Sequence, residues 1–467
     1  MSLQRRPLPY LADPASRLEP LKARPWFVYL DSCAARAVGG RIDLIAADPI
    51  ATLETRGRET TVTSADGVLT SVEDPFLLLA QTLQRLLPPT GVDVPFDGGA
   101  IGYFAYDLAR RIEPLPATAA RDIDLPDMAV GLYAWAIVVD HAAQTAELVV
   151  HPAARCDVDF IEHAWGRHSA LTPAVFASNF EVTSRVQPEI DFAQYARAWR
   201  RIKHYLREGD VYQVNLTQRF SASVRGDAWD AYQWLRLLNP APYSAYLDLP
   251  DGQVLSSSPE RFLRVHDGVV ETKPIKGTRP RGIDAEADAG LACELAASAK
   301  DRAENVMIVD LLRNDLGKHA VTGTVEVPAL FAVESFAKVH HLVSTVRATL
   351  PAGVSPLAVL RDCFPGGSIT GAPKLRAMQI IEELEPQRRS VYCGAIGYLS
   401  ASGRMDTNIA IRTLVCHGGR MYCWAGGGIV MDSDLEAEYQ ESLAKASAML
   451  EVFANAEREG VGSQDRR

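Results

Sequence analysis

The spacing of apolar and polar positions divides the chain into four stretches. Residues 1–166 consist of β-branched runs separated by turn residues, a pattern typical of short strands. Residues 167–190 are irregular and polar, which predicts a linker. Residues 191–455 open with a helical period that stops at Gly209 and continue as short strands and longer helices. The last residues, 456–467, are predicted to form a disordered tail.

One strand of the third stretch has a polar face. In the segment VYQVNLTQRF, alternation places Gln213, Asn215 and Thr217 on one side and apolar residues on the other. A polar face on a strand that otherwise resembles core indicates a wet cavity beside it.

A predicted hairpin brings a carboxyl close to an amine. Asp267-Gly268 lies between two β-rich runs, and a two-residue turn there places Glu260 opposite Ile275 and next to Lys276. Such a pair can act as an acid and a nucleophile if burial lowers the lysine pKa from its usual value of about 10.4. A surface Glu–Lys cross-strand pair is the alternative.

A second hairpin is predicted around Gly418-Gly419. It places Arg412 opposite Ala425 and beside Gly426. A guanidinium next to backbone without side chains suits a carboxylate, whereas an arginine on an edge strand can also be simply solvated.

Two helices carry pairs of carboxylates. The first is predicted to run through LACELAASAKDRAENVMIVDLLRND and places Asp301 and Glu304 three residues apart. The second begins with a capping box, Ser433-x-x-Glu436, and presents on one face Glu438, Glu441 and Lys445. Four carboxylates on two helices suit a hard cation such as Mg²⁺, and solvated helix faces are the alternative.

The segment PGGSITGAPK resembles a phosphate loop through the spacing of Gly366 and Gly371. It lacks the Lys-Ser/Thr of a Walker motif and the last glycine of a nucleophile elbow. An exposed turn with free amides and the Thr370 hydroxyl could hold a carboxylate, and a purely structural turn is equally compatible with the sequence.

Composition limits the partners that the protein can bind. The 467 residues include 48 Lys+Arg and 58 Asp+Glu, a net charge of −10, with 47% hydrophobic residues. This is ordinary globular composition. The acidic balance argues against nucleic acid and against an anionic membrane, but it does not exclude a small anionic substrate whose cations are gathered locally.

Cysteines and apolar runs bear on the compartment. The seven cysteines are scattered and include no C-x-x-C pair, so neither a disulfide framework nor a zinc site is expected. The longest uncharged apolar stretch, residues 128–139, is too short to span a bilayer. No apolar core follows the N-terminal arginines, and a soluble cytoplasmic protein is expected.

The motifs together resemble those of the chorismate-utilising enzymes. In chain order they are YQVNLTQRF, SSPERFL, PIKGTRPR, KDRAENVMIVDLLRNDLG, HHLVSTV, GGSITGAPK, AGGGIV and EYQESLAKA. The resemblance implies that residues 1–166 form a region similar to the N-terminal part of anthranilate synthase component I and that residues 191–455 form a chorismate-binding catalytic domain. It implies an α/β fold with two near-orthogonal antiparallel sheets sandwiched by helices, in which the two halves of the chain are interwoven.

Two residues resemble one branch of this family. The lysine of PIKGT, Lys276, resembles that of the family members that aminate ring C4, whereas anthranilate synthases carry Ala at this position. Gln213 stands where isochorismate and salicylate synthases have a lysine base. The resemblance implies that Glu260 protonates the departing 4-hydroxyl while Lys276 adds at ring C2. Ammonia would then enter at C4 and expel the lysine.

The resemblance also implies a Mg²⁺ site and a substrate pocket. Glu304 and Glu441 match metal ligands, and Asp301 and Glu438 match supporting or water-mediated carboxylates. The residues that match the lining of the chorismate site are Gln213, His341, Thr370, Tyr392, Arg412, Gly426 and Lys445.

Some members of the family hold tryptophan beside the N-terminal sheet. The matching positions are Ser32, residues 39–42, Pro242, Tyr243 and Ser244. The Gly39-Gly40 pair lacks the aromatic residue of relatives, which argues against tryptophan here.

The source of ammonia is expected to be a partner. No cysteine lies in a G-x-C-x-G elbow, so a separate glutamine amidotransferase subunit is expected to form a heterodimer with this chain. A later lyase would then give 4-aminobenzoate for folate.

Two alternatives remain for the function of the chain. One is anthranilate synthase component I or another chorismate aminase, and the other is an inactive regulatory subunit that binds chorismate or tryptophan.

Overall fold

Two large antiparallel sheets organise the protein. A computed structural model describes residues 2–35, 37, 40–166, 179–336 and 338–464. In sheet order the first sheet contains β1 (Gln4–Leu8), β10 (Thr145–Val150), β9 (Trp135–Asp140), β3 (Ile42–Ala46), β2 (Phe27–Asp31), β14 (Tyr243–Leu249), β15 (Gly252–Ser258), β24 (Thr413–His417), β25 (Arg420–Ile429), β13 (Gln213–Arg225) and β11 (Glu181–Val182). Two short strands, β12 (Gln187–Pro188) and β21 (Gly371–Ala372), also pair with β13.

The second sheet, like the first, combines strands from the N-terminal and C-terminal halves of the chain. In sheet order it contains β18 (Ile275–Pro280), β20 (Val339–Thr349), β17 (Val269–Thr272), β16 (Arg261–His266), β23 (Met405–Ile409), β22 (Ala395–Ser400), β7 (Gly99–Phe104), β8 (Met128–Tyr133), β4 (Ala51–Arg56), β5 (Glu59–Ser64) and β6 (Gly67–Ser71), and β19 (Glu326–Ser335) pairs with β20. Because β2 pairs with β14 and β7 pairs with β22, the two halves of the chain are interwoven.

Helices pack against both sheets. The α-helices are α1 (Glu19–Lys22), α2 (Pro75–Leu86), α3 (Val158–Gly166), α4 (Phe192–Glu208), α5 (Ala228–Leu238), α6 (Ala285–Ala297), α7 (Ala299–Gly317), α8 (Pro356–Cys363), α9 (Lys374–Leu384) and α10 (Leu435–Gln464). Short 3-10 helices span Pro14–Arg17, Tyr106–Arg111 and Gly367–Ile369. In the described part of the chain, no helix has the length and apolar character needed to cross a membrane.

Side-chain alternation along β2 separates two cores. Val28 joins the core between the sheets, where it belongs to the same cluster as Leu53 of β4. Its neighbour Phe27 points the other way, into a cluster that includes Trp229 of α5 and Phe453 of α10. The mixed α/β fold expected from the resemblance is confirmed.

The helical period that begins after Asp191 is confirmed as α4. Asp191 accepts a hydrogen bond from the Gln194 amide at 2.7 Å, and the Gln194 side chain accepts one from the Asp191 amide at 2.8 Å. Gly209 ends the helix with a φ of 79°, a conformation that glycine adopts without strain.

Both carboxylate helices begin differently from the prediction. The single helix expected around Glu304 is two helices, because Ser298 ends α6 and its side chain caps α7. The predicted capping box at Ser433 is wrong, since Asp434 accepts the hydrogen bond from the Ala437 amide at 3.0 Å. Ser433 instead donates to Glu438 Oε1 at 2.6 Å.

The two predicted hairpins have the expected turns but shorter ladders. The β16–β17 ladder runs only from Arg264↔Glu271 to His266↔Val269. Glu260 is therefore not paired with Ile275, because β18 leaves the hairpin and pairs with β20.

The hairpin of β24 and β25 is also shorter than predicted. Its ladder ends at Leu414↔Cys423, so Arg412 lies before β24 and is not paired with Ala425. Arg412 has a φ of 53°, which turns the chain just before the strand begins.

The predicted linker and tail also differ from the structure. Residues 167–178 lie outside the described residues, but β11 and β12, which follow them, extend the first sheet through β13. The tail was expected to be disordered after residue 455, whereas α10 continues through Gln464.

Candidate active site

Lys276 lies on a bulge at the edge of the second sheet. The β18–β20 register shifts between Ile275 and Thr278, so Lys276 and Gly277 occupy the irregular step. Gly277 has a φ of 81°, and a Cβ there would come within 2.9 Å of the Asp301 side chain. Bulges re-aim side chains, and this one sets the direction of Lys276.

Glu260 approaches Lys276 from the turn between β15 and β16. The side chain of Glu260 is buried, and the Ile275 amide hydrogen-bonds to its carboxyl group. Lys276 Nζ donates to the Ser368 carbonyl at 3.1 Å. The two groups predicted to pair are therefore brought together, although a strand ladder does not connect them.

Burial shifts both groups toward their neutral forms. Burial raises the pKa of Glu260, while Ser368 and the Lys276 charge act against that rise. Burial also lowers the pKa of Lys276, while Glu304 and Glu260 act in the opposite direction. A protonated acid beside a neutral amine is the state that acid-assisted nucleophilic attack requires.

Two carboxylates of α10 lie near Gly427 of β25, and a lysine of α7 lies close to one of them. A Cβ on Gly427 would lie 3.2 Å from Glu438 Oε2 and 3.8 Å from Glu441 Oε1. Lys300 Nζ lies 3.9 Å from Glu304 Oε1 and 3.7 Å from Glu438 Oε1, so a cation already lies between the two helices.

The pKa directions of these carboxylates reflect their crowding. Burial raises the pKa of Glu304 and of Glu438, and neighbouring carboxylates add to the rise. Burial also acts to raise the pKa of Glu441, but Lys445 at 2.7 Å from Glu441 outweighs it and the pKa is lowered.

These oxygen ligands fit a hard divalent cation that completes its shell elsewhere. Among the described residues, no three carboxylate, imidazole or thiol groups form a complete metal site. Mg²⁺ usually binds through one or two carboxylates and keeps waters and substrate oxygens as its other ligands. The carboxylate of Asp301 is engaged by Arg279, which donates a hydrogen bond to it at 3.3 Å.

The glycine-rich loop is buried, contrary to the exposed turn that was predicted. Thr370 is fully buried, and its hydroxyl donates to the Gly366 carbonyl at 3.1 Å. Gly371 pairs with Val214, which attaches the loop to the polar strand β13. On that strand Gln213 is fully buried, and its Oε1 has no hydrogen-bond partner within the part of the chain described.

Three predicted substrate-binding residues lie on neighbouring elements. Burial lowers the pKa of His341 to about 4, assisted by the charge of Arg412, and its Nδ1 contacts Thr278 Oγ1 at 2.9 Å. Burial also lowers the pKa of Arg412, while Tyr392 acts in the opposite direction. Tyr392 stacks on Trp424 with ring centroids 5.7 Å apart.

The last two predicted substrate-binding residues contact each other. Lys445 Nζ donates to the Gly426 carbonyl at 3.1 Å, so α10 is tied to β25 at this point. Gln213 and Gly426 lie on the paired strands β13 and β25, Thr370 lies on the loop that joins β13, and Lys445 and Tyr392 contact β25. Arg412 and His341 are linked to each other by the influence of the Arg412 charge.

Comparison with known proteins shows the family to which the chain belongs. A family model described as chorismate binding enzyme matches residues 26–451. The chain belongs to the chorismate-binding enzyme family. Aminodeoxychorismate synthase component 1 of Salmonella typhimurium is 49% identical over 451 residues, spanning 96% of this chain and 98% of that relative.

Other members of the family are also similar. Anthranilate synthase component 1 of Thermus thermophilus is 40% identical over 409 residues, spanning 86% of this chain and 88% of that protein. The crystal structure of anthranilate synthase component I from Streptococcus pneumoniae has a TM-score of 0.77 at 33% identity, covering 88% of this chain and 92% of that one.

Several positions that match the tryptophan pocket of some chorismate-binding enzymes are engaged with neighbouring residues. The Ser32 hydroxyl donates to Asp43 at 2.6 Å, and the Ser244 hydroxyl donates to the Ala241 carbonyl at 2.9 Å. Arg261 lies 5.0 Å from the Tyr243 ring centroid. Pro242 is buried beside them, Gly39 lies outside the described residues, and tryptophan binding stays a prediction.

Sequence reasoning about this chorismate-binding enzyme missed two residues of the site, Ser368 and Lys300, and named Asn215 only as part of a polar strand face. The Ser368 carbonyl accepts hydrogen bonds from the Lys276 amine and from the Asn215 amide. Lys300 lies between the carboxylates of Glu304 and Glu438. The polar alternation of β13 pointed to Asn215. Nothing in the sequence pattern singled out Ser368 or Lys300, because both act through the way separate elements meet.

Proposed function

We propose that the protein aminates chorismate at ring C4 to give 4-amino-4-deoxychorismate, with the product serving 4-aminobenzoate and folate synthesis. The observation that carries this proposal is Lys276, an amine whose pKa is lowered by burial and which lies against the buried acid Glu260. The relatives named aminodeoxychorismate synthase component 1 support the same reaction.

The first half of the reaction uses Lys276 as nucleophile. Its neutral nitrogen forms a bond to ring C2, the ring double bonds shift, and the C4–O bond breaks. Glu260 gives its proton to the departing hydroxyl, which leaves as water. The ring is then held on Lys276 as a secondary ammonium, and Glu260 is left as a carboxylate.

The second half returns the enzyme to its starting state. Ammonia forms a bond to C4, the double bonds shift back, and the C2–N bond breaks so that Lys276 leaves as a neutral amine. The product carries the new C4 ammonium, and Glu260 recovers the proton that ammonium loses when it becomes ammonia. The covalent bond at C2 blocks that carbon and so directs nitrogen to C4.

The charged groups around this pair would bind and orient the substrate. Glu304 and Glu441 would hold Mg²⁺, with Glu438 as a supporting carboxylate, and the bound ion would supply positive charge to neutralise a substrate carboxylate. Arg412 would receive another carboxylate, since a guanidinium binds carboxylates in a bidentate manner. Asp301 would support the site through Arg279, which it contacts at 3.3 Å.

We also propose that a separate glutamine amidotransferase subunit supplies the ammonia. The name component 1 of the relatives implies a second component for those proteins. In the sequence no cysteine lies in a G-x-C-x-G elbow, which is why glutamine is not proposed as a direct substrate of this chain.

The test combines product analysis with a search for the adduct. Purified protein is incubated with chorismate, ammonia and Mg²⁺, and the product is identified by chromatography and mass spectrometry. We expect 4-amino-4-deoxychorismate, and without ammonia a mass increase on the peptide that contains Lys276. The Lys276→Ala variant should show neither. Anthranilate as the product would overturn the proposal, as would full activity of Lys276→Ala.

A further inference from the structure

Asn215 connects several parts of the site without being one of its predicted residues. Its side chain is only 6% exposed. The amide Nδ2 donates to the Ser368 carbonyl at 2.9 Å, and the Oδ1 atom accepts from Gln213 Nε2 at 3.4 Å. Its backbone amide donates to the Thr370 carbonyl at 2.8 Å. One residue therefore joins the polar strand to the buried loop.

The Ser368 carbonyl that Asn215 contacts is also the acceptor for Lys276. A carbonyl oxygen has two lone pairs, and here it receives Asn215 at 2.9 Å and Lys276 at 3.1 Å. In the described part of the protein, Lys276 makes no ion pair, although Glu260 and Glu304 are close enough to influence its charge. The direction of the amine therefore depends on a neutral carbonyl.

This neutral acceptor matters for reactivity. A carboxylate in contact with Lys276 would favour the ammonium form, which has no lone pair to attack a ring carbon. A carbonyl can accept an N–H of the neutral amine and still orient it. The position of the Ser368 carbonyl then decides where the lone pair points.

A buried ion pair fixes both ends of the contact between Asn215 and Ser368. Arg389 is 1% exposed at its side chain and donates to Glu385 Oε1 at 2.7 Å. The same guanidinium donates to the Asn215 carbonyl at 2.9 Å and to the Ile369 carbonyl at 3.0 Å. Strand β13 and the loop that carries Ser368 are thus held to one rigid group.

We propose that Asn215 is a positioning residue for Lys276, because its amide fixes the Ser368 carbonyl and that carbonyl aims the amine at the substrate ring. The inference rests on the proposed nucleophilic role of Lys276. A displacement of about 1 Å in a reacting group can cost on the order of 10²-fold in rate. Loss of the Asn215 amide should therefore affect the chemical step far more than substrate binding.

The test replaces the amide by an apolar group of similar size. Asn215→Leu is compared with the wild type for kcat and for KM of chorismate, with ammonia as nitrogen source. The rate at which Lys276 gains the mass of the ring is measured without ammonia. We expect kcat and the adduct rate to fall by roughly 10- to 100-fold, with KM changed by less than about threefold.

A matched control separates this role from the loss of any amide hydrogen bond. Asn239 ends α5, and its amide donates to the Ser257 carbonyl at 3.1 Å. Asn239→Leu should leave kcat and the adduct rate within about twofold of the wild type. If Asn215→Leu does not fold, Asn215→Asp keeps the shape of the side chain, removes the donor and should show the same loss.

Two results would overturn the inference. One is an adduct rate in a folded Asn215 variant equal to that of the wild type. The other is a raised KM with unchanged kcat, which would assign Asn215 to substrate binding. Either result leaves the proposed function standing if the wild type forms adduct and product. If the wild type forms neither, the proposed function itself fails.

Discussion

Breaking the buried Arg389–Glu385 pair should destabilise the whole protein measurably. The perturbation is Arg389→Met, which keeps an unbranched apolar stem and removes the charge and the donors of the side chain. The guanidinium makes four hydrogen bonds: to Glu385 at 2.7 and 2.8 Å and to the carbonyls of Asn215 and Ile369 at 2.9 and 3.0 Å. The side chains of Arg389 and Glu385 are 1% and 6% exposed, so water cannot replace the lost partner.

The expected cost follows from what is left behind. Removing one member of a buried ion pair costs about 3–5 kcal/mol in free energy of unfolding. Thr217 still donates to Glu385 through its amide at 2.9 Å and its hydroxyl at 2.8 Å, which compensates part of the uncovered charge. We therefore expect the lower part of this range, about 3 kcal/mol.

The magnitude translates into a modest shift of the melting temperature. The entropy of unfolding is about 2.1 cal/mol/K per residue, which amounts to about 1 kcal/mol/K for 467 residues. Differential scanning calorimetry should therefore show a Tm about 3 °C lower for Arg389→Met. The double variant Arg389→Met with Glu385→Leu should melt close to the single variant, because the two residues act as one unit.

Control and refutation use the same calorimeter. Arg313 pairs with Asp310 at 2.8 Å, but both side chains are at least half exposed, so Arg313→Met should leave Tm unchanged. A Tm decrease below about 1 °C for Arg389→Met, or losses that simply add in the double variant, would refute the reasoning about this pair.

Two further predictions concern His341 and Gly427. Because the pKa of His341 is lowered from 6.5 to about 4 in the folded protein, the unfolded chain binds a proton at a higher pH than the folded chain does. The free energy of unfolding should therefore decrease as pH falls between these two values, by up to about 1.4 kcal/mol per pH unit. Urea unfolding at several pH values should show that His341→Asn loses this contribution to the pH dependence. An equal pH dependence in the wild type and the variant would contradict the lowered pKa. A Cβ at Gly427 would lie 3.2 Å from Glu438. Gly427→Ala should therefore fold but require more Mg²⁺ for half-maximal activity. The control Gly290→Ala, whose Cβ would meet open space, should show no change in the Mg²⁺ requirement.

Local signals in the sequence predicted those parts of the fold that depend on neighbouring residues. The helix after Asp191 was located at both ends, because its capping residues and its final glycine lie within the same short segment. The Asp267-Gly268 turn was also correct, since a two-residue hairpin is specified by its own sequence. Residue types in the motifs were sufficient to predict the fold class through their resemblance to a family.

Contacts between distant segments were less predictable. Alternation could not show that β18 leaves its hairpin to pair with β20, because that choice depends on a strand roughly 60 residues away. It also could not show that the glycine-rich loop is buried, since burial comes from β13 and from Arg389. For the same reason Ser368 was missed, although its side-chain partners Lys276, Asn215 and Glu260 were all named from the sequence.

The distribution of charge indicates which cations can act on a substrate. Lys445 is paired with Glu441, and Lys300 lies between two carboxylates. Within the described residues, Lys276 and Arg412 have no carboxylate at ion-pair distance, although the chain carries a net charge of −10. Their positive charges are expensive to bury, and burial lowers the pKa of each. Under the proposed function a substrate carboxylate would compensate Arg412, whereas Lys276 would be neutral and so available to attack the ring.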